Sequence, residues 1–291
     1  MLIILSIDDT MVEKYGEHFE KSLLFDHANH NGSNHLNGHC FVSLTISIPI
    51  LDKGLVRYLS FPVCYRIWTK EKTKLAIAAE LVAEVMKTIG DERNVCLCCD
   101  SWYPKAKITE LPERYKSLCL ICNVRHDTAL YDLPPEKTGK KGRPKVRGEK
   151  NALNDFEFSS VKGMDYSVGS RKVVTKLLGM MPVYAIVTKT NNNSKRLFIC
   201  TKSPDELTFD LDSVDLGRTA LFAKTDISFL PLTIYSLWWN IEIAYYEQKK
   251  FWSLGAYMLR SKIGIERLIN LLTVLYAFMT ILPFYDSYFF L

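Results

Sequence analysis

The start of the sequence lacks the pattern of an export leader, so none is expected. Residues 1–7 carry no basic start and no small-residue cleavage site, and Asp8 and Asp9 follow at once. A reducing, cytoplasmic compartment is therefore expected, with free thiols. No internal repeat is visible. Net charge is modest, at +5, but unevenly spread: residues 137–150 hold seven Lys or Arg and one Glu, and the remainder is near neutral. A polyanion touching that segment is the partner this pattern implies. With 48% apolar and 24% charged residues over 291 positions, the chain is globular, enough for one large domain or two small ones.

Two apparent metal motifs lack what a metal needs. Cys96, Cys99, Cys119 and Cys122 match a zinc-like C-x2-C repeat by count. Both pairs sit in apolar, strand-like runs, where residues i and i+3 point to opposite faces, and no Gly or Pro supplies a turn. Buried structural thiols are the expectation. His27, His30, His35 and His39 have no helical i, i+4 pair and lie in a Gly/Asn-rich stretch. A loop is expected there, with His39 beside the second strand.

Apolar periodicity lays out the rest. Residues 2–7 predict a buried strand, 40–50 an alternating one and 55–63 a third. Residues 73–89 carry a helical stripe ended by Gly90. Residues 94–99 and 118–124 predict central parallel strands. Between 128 and 220 the rhythm changes to short strand candidates at 183–189 and 196–202, joined by a turn at 191–194. Helix resumes near Pro231, a residue suited to a first turn. The order is that of an α/β, ribonuclease-H-like mixed sheet with flanking helices, interrupted by a β-rich insertion. The expected parts are 1–127 (first part of the core), 128–220 (insertion with basic loop) and 221–291 (helical part). The apolar stretch 268–285, broken by Asn270, Thr273, Thr280 and Pro283, predicts a buried closing helix rather than a membrane anchor.

Three acids stand out against this frame. Asp8 follows the first strand, and of Asp8 and Asp9 one must face a site while the other points away. Asp100 follows another strand and opens Ser101-Trp102-Tyr103-Pro104. Glu242 lies seven residues after Tyr235 and seven before Lys249. On one continuous helix that spacing aligns all three, with about 20° of drift per step. Carboxylates gathered from distant positions suit Mg²⁺, with Mn²⁺ as substitute. Two such ions about 3.5–4 Å apart support in-line phosphoryl displacement.

Asp8-Asp9-Thr10, Cys99-Asp100-Ser101-Trp102-Tyr103-Pro104 and the Tyr235/Glu242/Lys249 spacing resemble the bacterial insertion-sequence transposases of the DDE type. The resemblance is to the subgroup with a Tyr-x2-Arg-x3-Glu-x6-Lys signature, and it covers nearly the whole chain. It implies that Asp8, Asp100 and Glu242 hold two metal ions and that Tyr235 and Lys249 contact the transposon end. Asn123-Val124-Arg125 and Gly142-Arg143-Pro144 resemble the family's basic segment, so Arg125, Arg143 and Lys145 are expected on DNA phosphates. The implied activity is DNA cleavage and strand transfer on double-stranded DNA, both transposon ends and target. A homodimer assembled on DNA, next to the nucleoid and without a membrane, is implied as well.

The chain departs from the pattern in two places. Trp238 occupies the signature's Arg position, which removes a phosphate clamp and offers an aromatic face to an unpaired base instead. The family's N-terminal end-binding domain has no counterpart here, so an N-terminal truncation is expected. Two rivals stay open. One is an inactive remnant that binds DNA weakly, and the other is a simple metal-dependent nuclease on the same core.

Overall fold

In the computed structural model the described residues are 2–15, 22–25, 34–52, 55–136, 144–160, 164–207 and 229–284. The chain divides into two compact units. One comprises Met1–Ile3 with Asp91–Ser236, and the other Ile4–Gly90 with Leu237–Leu291.

In the second unit, β1 (Ile3–Glu13), β3 (His35–Asp52) and β4 (Leu55–Ile67) form an antiparallel set, with the short β2 (Ser22–Phe25) on the start of β3. β1 runs six residues further than its initial apolar run suggests. Thr10 and Val12 continue the alternation and are buried, so Asp8 and Asp9 lie inside the strand and not at its end. β3 likewise begins earlier than expected, and His35 and His39 are strand residues. His27 and His30 lie outside the described residues.

Alternation gives this sheet two distinct faces. One carries Asp9, Cys40 and Val42 and is covered by α1 (Lys74–Ile89), which ends at Gly90 as its sequence predicts and has Thr73 as its N-cap. The other carries Val12, Phe41 and Tyr65. They pack with residues of α4 (Asn240–Phe251) and α5 (Lys262–Ile281) in one core that includes Ile241, Tyr245, Ile265 and Ile269. The loop between these helices is pinned to β1. Lys14 Nζ donates to the carbonyl oxygens of Gly255 and Tyr257 and lies 3.8 Å from the Tyr257 ring centre. Gly255 has φ +105°, and a Cβ there would come within 2.7 Å of Val12. Only glycine fits.

In the first unit, β5 (Val95–Cys99) and β6 (Leu118–Val124) pair in parallel, with α2 (Leu111–Arg114) between them in sequence. All five residues of β5 are buried, which accounts for its unbroken apolar run. β6 continues into an antiparallel series: β12 (Lys195–Cys200), β11 (Pro182–Thr190) and β10 (Tyr166–Thr175). The short β7 (Leu130–Tyr131), β8 (Lys150–Asn151) and β9 (Ser159–Ser160) join at β10. These six strands lie within residues 128–220, where short strands are expected, and α3 (Leu230–Ser236) resumes helix after them. The chain is thus α/β, with mixed sheet and flanking helices in the ribonuclease-H-like order.

All eight cysteines are free. Cys96 and Cys99 face Cys119 and Cys122 across the parallel register, and Cys119 Sγ lies 3.5 Å from Cys200 Sγ. Burial pushes the Cys96 and Cys98 thiols well up.

The closing helix α5 is buried on one side only. Ile265, Ile269, Thr273 and Tyr276 are covered, whereas Leu271, Val274, Phe278 and Met279 are exposed. Together with the turn that follows it, this segment is long and apolar enough to cross a membrane by length and composition. On its covered side it seals the edge of β4. Asn270 accepts from the Tyr65 N–H at 2.9 Å and donates to the Tyr65 carbonyl at 3.0 Å, and Glu266 accepts from the Ile67 N–H at 2.9 Å. A strand edge needs such partners.

Asn270→Ala leaves that donor and acceptor of Tyr65 without their side-chain partner. It should lower stability by about 1–3 kcal/mol, read from the urea unfolding midpoint. An unchanged midpoint would show that water serves this edge equally well.

Candidate active site

The choice between the two adjacent acids is made by strand alternation. Asp8 stands opposite Ser43 and Asp9 opposite Val42. Asp9 turns toward α1. Its carboxylate lies 2.5 Å from Lys74 Nζ and accepts from the Cys40 thiol at 3.1 Å. Burial alone would lower the Lys74 ammonium, but the Asp9 carboxylate outweighs it and holds the group above its ordinary range. Burial, reinforced by Asp9, pushes the Cys40 thiol up. Asp9 is therefore committed to a partly buried ion pair. Asp8 is half-buried and accepts the Asp9 backbone N–H at 2.8 Å, which orients its carboxylate.

The helix bearing Glu242 is docked against this same stretch of β1. Tyr245 and Ser43 share a hydrogen bond of 2.6 Å, and Ser43 is the cross-strand partner of Asp8. Trp238 Nε1 donates to the Ile7 carbonyl at 3.3 Å, one residue before Asp8. A third bond, Tyr65 Oη to Gln248 Oε1 at 2.5 Å, fixes the next turn. The Tyr245 phenol is pushed well up, first by burial and then by Asp8, so the carboxylate is within electrostatic reach of α4. Glu242 lies one turn before Tyr245 and is half-buried. Lys249 follows two turns later. Desolvation lowers its ammonium, and the Glu242 carboxylate acts in the opposite sense.

The seven-residue spacing holds on α4 for Glu242 and Lys249 but not as one continuous helix from Tyr235. A 3-10 turn at Leu237–Trp239 separates α3 from α4, and Tyr235 belongs to α3 in the other unit. Trp238 also differs from expectation. It is half-buried and packed against the core, with its N–H spent on Ile7. Trp239, 62% exposed, is the tryptophan that presents a ring.

In the first unit Asp100 sits one residue beyond the end of β5, where its carboxylate accepts the Trp102 N–H at 3.0 Å and shapes the exit turn. Tyr235 packs edge-on against Phe198 with ring centres 4.9 Å apart. Its phenol is raised by burial first, then by Cys98, Cys99 and Asp100, so it stands near the carboxyl end of β5. Arg125 forks onto Asp127 at 2.9 and 3.0 Å, an exposed pair that a phosphate would have to displace. Lys145 is exposed, and Arg143 lies outside the described residues.

The carboxylates fit a hard cation by type, since Mg²⁺ takes oxygen donors and retains several waters. Among the described residues no cluster of three or more His, Cys, Asp or Glu gathers as a metal nest. Asp8 and Glu242 share one unit, and Asp100 belongs to the other. Lys74, Ser43 and Tyr245 were not singled out in the sequence. Only Tyr245 left a trace there, as an aromatic one turn after Glu242.

No protein-family model matches the chain, and no curated protein is significantly similar to it. Among solved structures it is similar to the piggyBac transposase in a synaptic complex with hairpin DNA, determined by cryo-electron microscopy. Identity is 12% and the TM-score 0.43, over 95% of this chain and 48% of that one. The chain spans about half the length of that protein, and a likeness at this level bears on neither substrate nor mechanism.

Proposed function

We propose that the chain is the catalytic part of a DDE transposase of the subgroup its signature resembles, cleaving DNA phosphodiesters and joining the freed 3′-hydroxyl to target DNA. The observation that carries this is the docking of the Glu242 helix onto the strand of Asp8. Two hydrogen bonds converge on the residues around Asp8, one from Tyr245 on that helix and one from Trp238 in the turn that leads into it, both more than two hundred positions away in sequence. An ordinary packing helix has no need to spend buried polar contacts at that point, because each must be satisfied in a single register.

Asp8, Asp100 and Glu242 would hold Mg²⁺ in this proposal. When bound, the ions lower the pKa of an attacking water or hydroxyl and neutralise charge on the leaving oxygen. The chain's own groups do the rest. Asp9 and Lys74 keep the strand in register, so Asp8 alone presents its carboxylate on the α4 face. Lys249 supplies a point charge for a DNA phosphate, and the neighbouring Glu242 helps keep it protonated. Tyr235 and the exposed Trp239 offer polar and stacking contacts to a strand end. The basic segment carrying Arg125, Arg143 and Lys145 adds a sequence-independent hold on the backbone.

One observation favours the inactive rival. Trp238 stands where the subgroup has Arg, and its side chain is committed to the core and to Ile7. No guanidinium is supplied from this position, so DNA binding without transposition is the second reading.

Nicking of supercoiled plasmid in Mn²⁺ distinguishes the two. The chain should nick, and Asp100→Ala and Glu242→Gln should each reduce the rate by about two orders of magnitude or more. Equal nicking by wild type and both variants would sink the metal assignment; no nicking by any of them would favour the rival. Lys249→Ala should weaken DNA binding at low salt and lower the slope of log affinity against log salt by about 1. An unchanged slope would mean that Lys249 meets no phosphate.

A further inference from the structure

The exposed side of α5 has a pattern that its covered side does not explain. Leu271, Leu275 and Phe278 on the helix and Leu282 in the turn that follows it keep a 4-3-4 spacing, and Val274 and Met279 flank them. All six are 45–62% exposed. This is the a/d seam of a helix pair, the spacing at which side chains of one helix enter holes on another. From residue 268 to 284 there is no Asp, Glu, Lys or Arg, so two copies of the seam meet without like-charge repulsion in either direction.

We propose that this seam is a self-association surface, pairing two copies of the chain through α5 in the absence of DNA. The six side chains expose on the order of 500 Å² per copy. A symmetric pair would therefore bury roughly 1,000 Å², at the lower bound for a specific interface before any rim residues are added. A two-fold pairing suits a surface that is complementary to itself. A bilayer fits less well. The opposite side of α5 is tied to β4 by Asn270 and Glu266, so a spanning helix would strip partners from Tyr65 and Ile67. The side facing away from the seam also lacks the rich Lys/Arg lining of a helix lying on a membrane surface. The proposal is independent of the chemistry assigned to Asp8, Asp100 and Glu242.

Size-exclusion chromatography with light scattering, on the full chain without DNA and over a wide concentration range, tests it. The expected mass at high concentration is twice 33.5 kDa. Leu275→Glu with Phe278→Glu should raise the dimer dissociation constant by at least about tenfold, with the far-UV circular dichroism unchanged. Phe251→Glu, an exposed apolar residue off the seam, should leave the dimer intact and serves as the folding control. A wild-type chain that stays monomeric throughout would overturn the proposal, as would a folded seam variant that still dimerises. Monomers that float with anionic phospholipid vesicles would overturn it in favour of a lipid surface.

Discussion

The bond between Tyr245 and Ser43 is the contact on which the second unit's arrangement turns. Both hydroxyls are buried, and each would cost about 1–3 kcal/mol if left unpaired. Apolar contacts with Phe41, Tyr65 and Ile269 would tolerate α4 shifted by a residue or rotated by some tens of degrees. The hydroxyl pair does not. Once it is made, Gln248 reaches Tyr65 from the same helix and Trp238 reaches Ile7 from the turn before it, so three polar contacts agree on one register. Glu242 is placed as a consequence, because it shares that helix.

The same economy governs the acids. Asp8 and Asp9 are chemically identical neighbours, and the pleat sends them to opposite faces. Lys74, at the first turn of α1, claims Asp9. The pair is only partly buried, and the short contact with Lys74 and the Cys40 thiol together fix the Asp9 carboxylate toward α1. Asp8 stands on the opposite face, where its carboxylate accepts the Asp9 N–H. The division of labour needs one lysine, 65 positions away, and the alternation of a strand.

The elements legible in the sequence are those whose burial is simple. β5 and β6 are covered on both faces and read as unbroken apolar runs. α1 is covered on one side, with caps at both ends. β10 was not legible, because Gly169, Ser170, Arg171 and Lys172 interrupt its apolar pattern and its pairing with β11 supplies what the pattern lacks. β1 was read too short for a related reason: two carboxylates in mid-strand resemble a terminus until their partners are known. The paired cysteines match a zinc motif by count, yet their strands place them as cross-strand neighbours in a core.

By itself the sequence determined the α/β class and most of the strand and helix positions, because strand and helix periods are local properties of the chain. Tertiary structure alone decided which of Asp8 and Asp9 is paired off and that Trp238 is a packing residue. It also set a 3-10 turn between the helix of Tyr235 and that of Lys249, and left Leu271, Val274 and Phe278 of α5 exposed. Each of these depends on a partner distant in sequence, and no local pattern carries information about such a partner. The period of a helix shows that it has an apolar stripe; only the packed chain shows whether anything lies against it.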